Sequence, residues 1–326
     1  MINFRGKLLF YESLMFLAVQ FITLFTGFSM IGTLETTIID GTPAIDLVRQ
    51  PEIMRPLSIE PIAAAVPFLI AFVIAVILII VLLKFLKLPI IFSGLFTFIM
   101  FIGSQAVFSA VLGDTPLILG IITSPVLLLI STLLAIGVVA ARYIRPNLIT
   151  HNIAIFLGVA GVSAVLGVNL RPEVIILLLI LLSIYDFIAV FKTKHMVSMF
   201  KDLLKRGMPL AIVVPENPAE FTAHVKEVSR KKLAETEHKH EEKKVLMLGT
   251  GDLAFPALFA VSALAEHYAT AGFLPAIAIV IGSVIGLVFN HYLLFVKKYR
   301  FIPALPFIAA FSIIAYIIAI LPELII

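Results

Sequence analysis

Nine apolar runs, each long enough to cross a bilayer as a helix, restrict this chain more than any other feature. They cover about residues 11–32, 62–83, 88–112, 117–140, 150–169, 172–191, 246–266, 271–296 and 301–322 of the 326. A hydrocarbon core about 30 Å thick takes roughly 20 helical residues. Within it every backbone polar group needs a partner inside the protein, and long continuous apolar runs meet that need as helices. Composition agrees: 61% of residues are hydrophobic and 13% charged, where soluble domains carry about 25% charge. The expected fold class is an all-α membrane protein with nine transmembrane helices.

Basic residues give the orientation. With the N-terminus in the cytoplasm, 21 of the 24 Lys and Arg fall on that side, twelve of them between Lys192 and Lys244. The outer segments keep Arg49, Arg55 and Arg171. That bias is what the positive-inside rule expects, and it puts the C-terminus outside. The first run continues past Phe21 towards Ile31, so it reads as a spanning helix rather than a cleaved signal peptide.

One compact membrane domain is expected. Helices one to six occupy 1–191, a partly disordered cytoplasmic loop occupies 192–245, and helices seven to nine occupy 246–326. The external segment 33–61 is acidic and punctuated by Pro43, Pro51 and Pro56. In the cytoplasmic insert, Leu210–Val214 reads as a short strand ended by Pro215, and Val245–Leu248 is a second apolar stretch. Lys226–Lys244 is almost wholly charged and reads as a solvated face. Gly158 and Gly161 in segment five, which is short and Gly-rich, and Gly282 and Gly286 in segment eight suit close helix packing. The absence of Cys excludes disulfides.

Against this background two carboxylates stand out. Asp186 lies six residues before Lys192, about 9 Å into segment six. Asp252 lies eight residues after Lys244, about 12 Å into segment seven. A charged residue in a membrane helix costs roughly 2.5–3.5 kcal/mol on insertion scales and generally marks function. The two depths match, and two antiparallel helices would bring the side chains face to face. Segment nine enters at the same depth through Pro303-Ala304-Leu305-Pro306. Prolines there leave carbonyls unpaired, which membranes tolerate where backbone is buried in protein or lines a wet cavity. Gly249 and Gly251 allow close backbone approach around Thr250 and Asp252.

Tyr185-Asp186, Gly249-Thr250-Gly251-Asp252 and Pro303-Ala304-Leu305 resemble the YD, GxGD and PAL signatures of the presenilin and signal peptide peptidase proteases. Their order, and their placement on segments six, seven and nine of nine, are similar too. The resemblance implies intramembrane aspartyl proteolysis with Asp186 and Asp252 as the catalytic pair. It also implies that the Pro303-Ala304-Leu305 segment shapes the site and positions substrate. The cytoplasmic start of segment seven is similar to presenilin rather than to signal peptide peptidase, which implies substrates entering with the N-terminus outside.

The chemistry is consistent with that likeness. At about 4 Å and an effective dielectric near 20, two ionised carboxylates repel by roughly 4 kcal/mol, so the pair is expected to hold one proton between them. The ionised partner takes a proton from water, which attacks the scissile carbonyl, and the protonated partner supports the oxyanion. No metal or cofactor is called for. The substrate helix has to unwind to expose a peptide bond, and the unwound stretch is expected to pair with Val245, Leu246, Met247 and Leu248, or with Leu210–Val214, as an added strand. On this reading proline at Leu246 or Leu248 cuts turnover and leaves the fold.

Other readings of the same residues are a secondary transporter or ion channel using the two acids, or a non-catalytic scaffold. Tyr185 is either an interfacial anchor or a hydrogen-bond partner in the site. Pro256 is expected to kink its helix. His238 and His240 read as solvated surface, His240-Glu241-Glu242-Lys243-Lys244 lacks the second histidine of HExxH, and His291 reads as a packed or snorkelling residue. Expected partners are transmembrane-helix or signal-peptide substrates and the lipid bilayer, with no nucleic acid and no obligatory protein partner. The expected location is the cell membrane.

Overall fold

The computed structural model describes residues 2–36, 38–39, 42–43, 70, 89–114, 124–188, 211–215, 221–225, 227–228, 245–296 and 302–325. Within them lie eight helices: α1 (Ile2–Thr36), α2 (Pro89–Leu112), α3 (Pro125–Ile144), α4 (Leu148–Asn169), α5 (Pro172–Ile188), α6 (Thr250–His267), α7 (Leu274–Val296) and α8 (Leu305–Ile325). Eight of the nine expected spans therefore have a helix. The second, 62–83, lies outside the described residues except at position 70, as do most of the acidic segment 33–61 and of Lys226–Lys244. Six helices are long and apolar enough to span by length and composition alone. The shorter α5 and the less apolar α6 complete the set, and these two carry the aspartates.

Helix boundaries follow local chemistry. α3 starts at Pro125 because Ser124 caps it, accepting a hydrogen bond from the Leu127 amide. The expected start near 117 was eight residues early. Asn147 caps α4 in the same way, accepting from Thr150 N–H at 2.9 Å. Segment seven needs a correction of kind: Val245–Gly249 is a strand, and the helix begins at Thr250.

Two small antiparallel ribbons accompany the helices. β1 (Ile38–Ile39) pairs with β2 (Thr42–Pro43). β3 (Ala211–Pro215) pairs with β4 (Val245–Gly249), in the register Ala211 to Gly249, Val213 to Met247 and Pro215 to Val245. The two stretches expected to be alternative docking strands are thus partners of each other.

α4 is the hub. It packs against α1, α2, α3, α6 and β3, and it is the most buried of the six long spans. Its glycines permit this: a β-carbon on Gly161 would run into the Gly103 carbonyl, and one on Gly158 would press on Met100. Gly282 and Gly286 do the same for α7 against α8. Buried polar side chains add specific links between helices: Gln20 donates to Ser283 at 2.8 Å, and Gln105 reaches both Ser109 and Ser131. The outer faces carry Phe21, Leu129, Ile184, Ile285 and Ile318, all exposed, as lipid-facing helix surfaces should be.

Candidate active site

Asp186 sits near the end of α5 and Asp252 in the first turn of α6. Their orientation is set one turn away. Leu182 precedes Asp186 by four residues and Phe255 follows Asp252 by three, so each shares a face with its carboxylate. Both pack against the same clusters, formed by Val174, Leu178, Leu179, Leu258 and Leu305. The two helices pack against each other above this apolar floor, which leaves Asp186 within electrostatic reach of Asp252. Asp186 is 7% exposed, and Asp252 is half-buried.

The third element meets them through its backbone. α8 begins at Leu305, preceded by Pro303 and Ala304, and the Ala304 carbonyl accepts the first helical bonds from Phe307 and Ile308. The first amides of a helix have no intrahelical partner. Leu305 N–H donates instead to the Asp186 carboxylate. Pro306, next along, has no N–H to leave unsatisfied. The prolines therefore frame a helix start rather than interrupt a helix, and they deliver one amide to one acid.

Gly249 and Gly251 differ in their reasons for being glycine. A β-carbon at Gly249 would lie 3.2 Å from Asp252 Oδ2, so this position serves close approach to the carboxylate. At Gly251 the nearest atoms are ring carbons of Phe255 at 3.7 and 4.0 Å, which is ordinary contact. Neither has a left-handed backbone; Gly249 has φ −61° and ψ 144°. Thr250 is half-buried at the first position of α6. Pro256 lies four residues after Asp252 and withholds the amide that would have bonded the Asp252 carbonyl. Tyr185, next to Asp186 in the chain, is 56% exposed.

β4 runs straight into this site. Antiparallel partners alternate between bonding each other and facing outward. Val213 N–H and C=O are both bonded to the Asn152 side chain of α4, so Ala211, Val213 and Pro215 face away from β4. By the same alternation Val245, Met247 and Gly249 face away from β3, and among the described residues nothing pairs with that edge. Leu246 and Leu248 bond β3. Proline there would break the ribbon itself, contrary to the expectation of an intact fold; Met247 is the outward position.

Glu12 is a neighbour of the site that sequence reasoning missed. It is 3% exposed in α1, its Oε2 lies 2.7 Å from His291 Nε2 of α7, and its charge reaches Asp252. One turn deeper, Phe16 and Leu287 pack with Leu253 and Leu248, which flank Asp252. A lone acid and a lone histidine near the same ends of two apolar segments were the signal that could have found the pair.

A family model described as "Signal-peptide peptidase, presenilin aspartyl protease" matches residues 53–325. Two solved structures titled as presenilin family intramembrane aspartate proteases share the fold. The one in space group C222 is 22% identical, with TM-score 0.58, over 95% of this chain and 98% of that one. The one in P2 is 21% identical, with TM-score 0.54, over 94% and 95%. No curated protein matches the chain.

Proposed function

Because the chain belongs to the signal-peptide peptidase and presenilin aspartyl protease family, we propose that Asp186 and Asp252 are its catalytic pair. Membership makes the protein an aspartic endopeptidase of the intramembrane kind, and its apolar helices make it a multi-pass membrane protein. The observation that supports the assignment to these two residues is that they stand on the packed helices α5 and α6 within electrostatic reach of each other, with the Leu305 amide bonded to one of them.

The pair shares one proton. The ionised carboxylate accepts a proton from a water molecule as its oxygen attacks the scissile carbonyl. The protonated carboxyl hydrogen-bonds the developing oxyanion. As the tetrahedral intermediate collapses, the C–N bond breaks and a carboxyl proton passes to the departing amine. Every step is a proton transfer or a bond change at the substrate, which two carboxyls carry by themselves. Leu305 N–H fixes the Asp186 carboxylate for this task, and Gly249 leaves room for that of Asp252.

The substrates are transmembrane helices or remnant signal peptides, handled by the protein without an obligatory partner. The nine-span arrangement, N-terminus in the cytoplasm and C-terminus outside, rests on the basic-residue bias, with the cell membrane as its setting. The unwound substrate adds to the outer edge of β4, opposite Val245, Met247 and Gly249, and so runs alongside the chain that leads to Asp252. Tyr185 and Thr250 flank the pair, and Pro303 and Ala304 present Leu305.

A fluorogenic transmembrane peptide in detergent micelles tests this. The purified protein is expected to cleave it, and Asp186→Asn or Asp252→Asn to abolish cleavage. Ion flux in liposomes without any proteolysis would replace this reading with the transporter.

A further inference from the structure

We propose that Asn152, backed by His151, is a positioning residue that seals the outer edge of β3 and thereby fixes the register in which a substrate strand lies on β4. This rests on the strand-addition reading above and deepens it. A two-stranded ribbon has two free edges, and either can recruit a strand. Here the centre of one edge is closed by side chains of α4. Asn152 Nδ2 donates to the Val213 carbonyl at 2.8 Å, and Val213 N–H donates to Asn152 Oδ1 at 3.0 Å. The amide thus makes the paired contact of a neighbouring strand with one side chain. His151 Nε2 lies 3.4 Å from the Ala211 carbonyl. Arg142 Nε donates to His151 Nδ1 at 3.5 Å, which leaves the proton on Nε2 and makes Ala211 the acceptor. Pro215, the third outward residue, has no N–H to offer.

Both side chains are buried, and they come from the most buried helix of the six long spans. Leu148 of the same helix packs with Val213, Val225 and Val228, and Leu148 N–H donates to the Ala223 carbonyl. The first turn of α4 is therefore a platform on which the cytoplasmic insert rests. Val213 stands directly opposite Met247. Holding Val213 holds Met247, and Met247 carries the outward amide and carbonyl a substrate strand would use. Gly249 and Asp252 follow along the same chain. Asn152 in this way ties the substrate's register to the carboxylates without touching substrate.

A strand slip that keeps the same faces moves by about two residues. Wild-type protein and Asn152→Leu are therefore compared on one single-pass transmembrane peptide, with product masses, kcat and KM all measured. Asn152→Leu is expected to spread cleavage to bonds about two residues from the main site. KM is expected to rise about tenfold, the effect of a lost hydrogen-bonding partner, with kcat changing less. Loss of folded protein alone would lower kcat and leave the product pattern as it was. An unchanged main site with KM within about twofold of wild type overturns the proposal. If Asn152→Leu does not fold, Asn152→Asp carries the same test, since it keeps the acceptor for Val213 N–H. Met247→Pro separates the two levels. If it leaves cleavage untouched, strand addition on β4 itself is wrong. If it suppresses cleavage while Asn152→Leu keeps the wild-type product pattern, only the role of Asn152 falls.

Discussion

Replacing Gly249 with alanine places a β-carbon 3.2 Å from Asp252 Oδ2. The backbone there, φ −61° and ψ 144°, suits alanine, so the effect is steric and falls on the carboxylate. Relieving the contact requires a displacement of a few tenths of an ångström. A misplacement of about 1 Å costs roughly 10²-fold in rate, which scales to a loss of about 4–10-fold in kcat/KM for Gly249→Ala. Gly251→Ala is the control within the same motif. Its β-carbon meets only the Phe255 ring at 3.7 Å or more, and alanine is the better helix former by up to about 1 kcal/mol. Gly251→Ala is therefore expected to keep activity within about twofold and to melt no earlier than wild type. Both variants are assayed on one transmembrane peptide, normalised to folded protein by thermal unfolding in the same detergent. A tenfold or greater loss in Gly251→Ala beside near-normal Gly249→Ala would refute the steric argument, because the motif would then need its second glycine for something other than space.

Leu305→Pro removes the amide bonded to Asp186, at a first helical position that suits proline. A hydrogen bond to a charged group is worth about 1.5–3 kcal/mol, so kcat is expected to fall roughly 10–100-fold with the helix retained by circular dichroism. Glu12→Leu leaves His291 without its buried partner and is expected to destabilise the fold by about 3–5 kcal/mol, whereas Glu12→Leu with His291→Leu is expected to recover most of that; unfolding of the two single variants and the double measures it. Gly161→Leu drives a side chain into the Gly103 backbone, and little folded protein should be recovered by size exclusion.

The acids are legible in the sequence because charge inside an apolar run is anomalous, and two at matching depth more so. The Pro303-Ala304-Leu305 segment is legible as irregular backbone, but not that Leu305 N–H is what reaches Asp186; that depends on where α8 starts. Segment five looks weak because glycine and polar residues lower its hydropathy. Those residues are there because α4 is surrounded by protein, with Gly158 and Gly161 against α2 and Asn152 against β3. Val245–Leu248 reads as the beginning of a helix because a short apolar run has no period that separates helix from strand. Its partner is the distant strand Ala211–Pro215, beyond the reach of any local signal. Glu12 and His291 are separated by most of the chain, and their pairing is purely tertiary.

Two carboxyls working as one unit are the centre of the mechanism, and kcat/KM for Asp186→Asn, Asp252→Asn and the double variant tests that directly. Groups that act together lose nearly everything with the first removal. Each single variant is predicted to fall to the same background as the double. Partial activity in either single variant, with losses that multiply in the double, would contradict it.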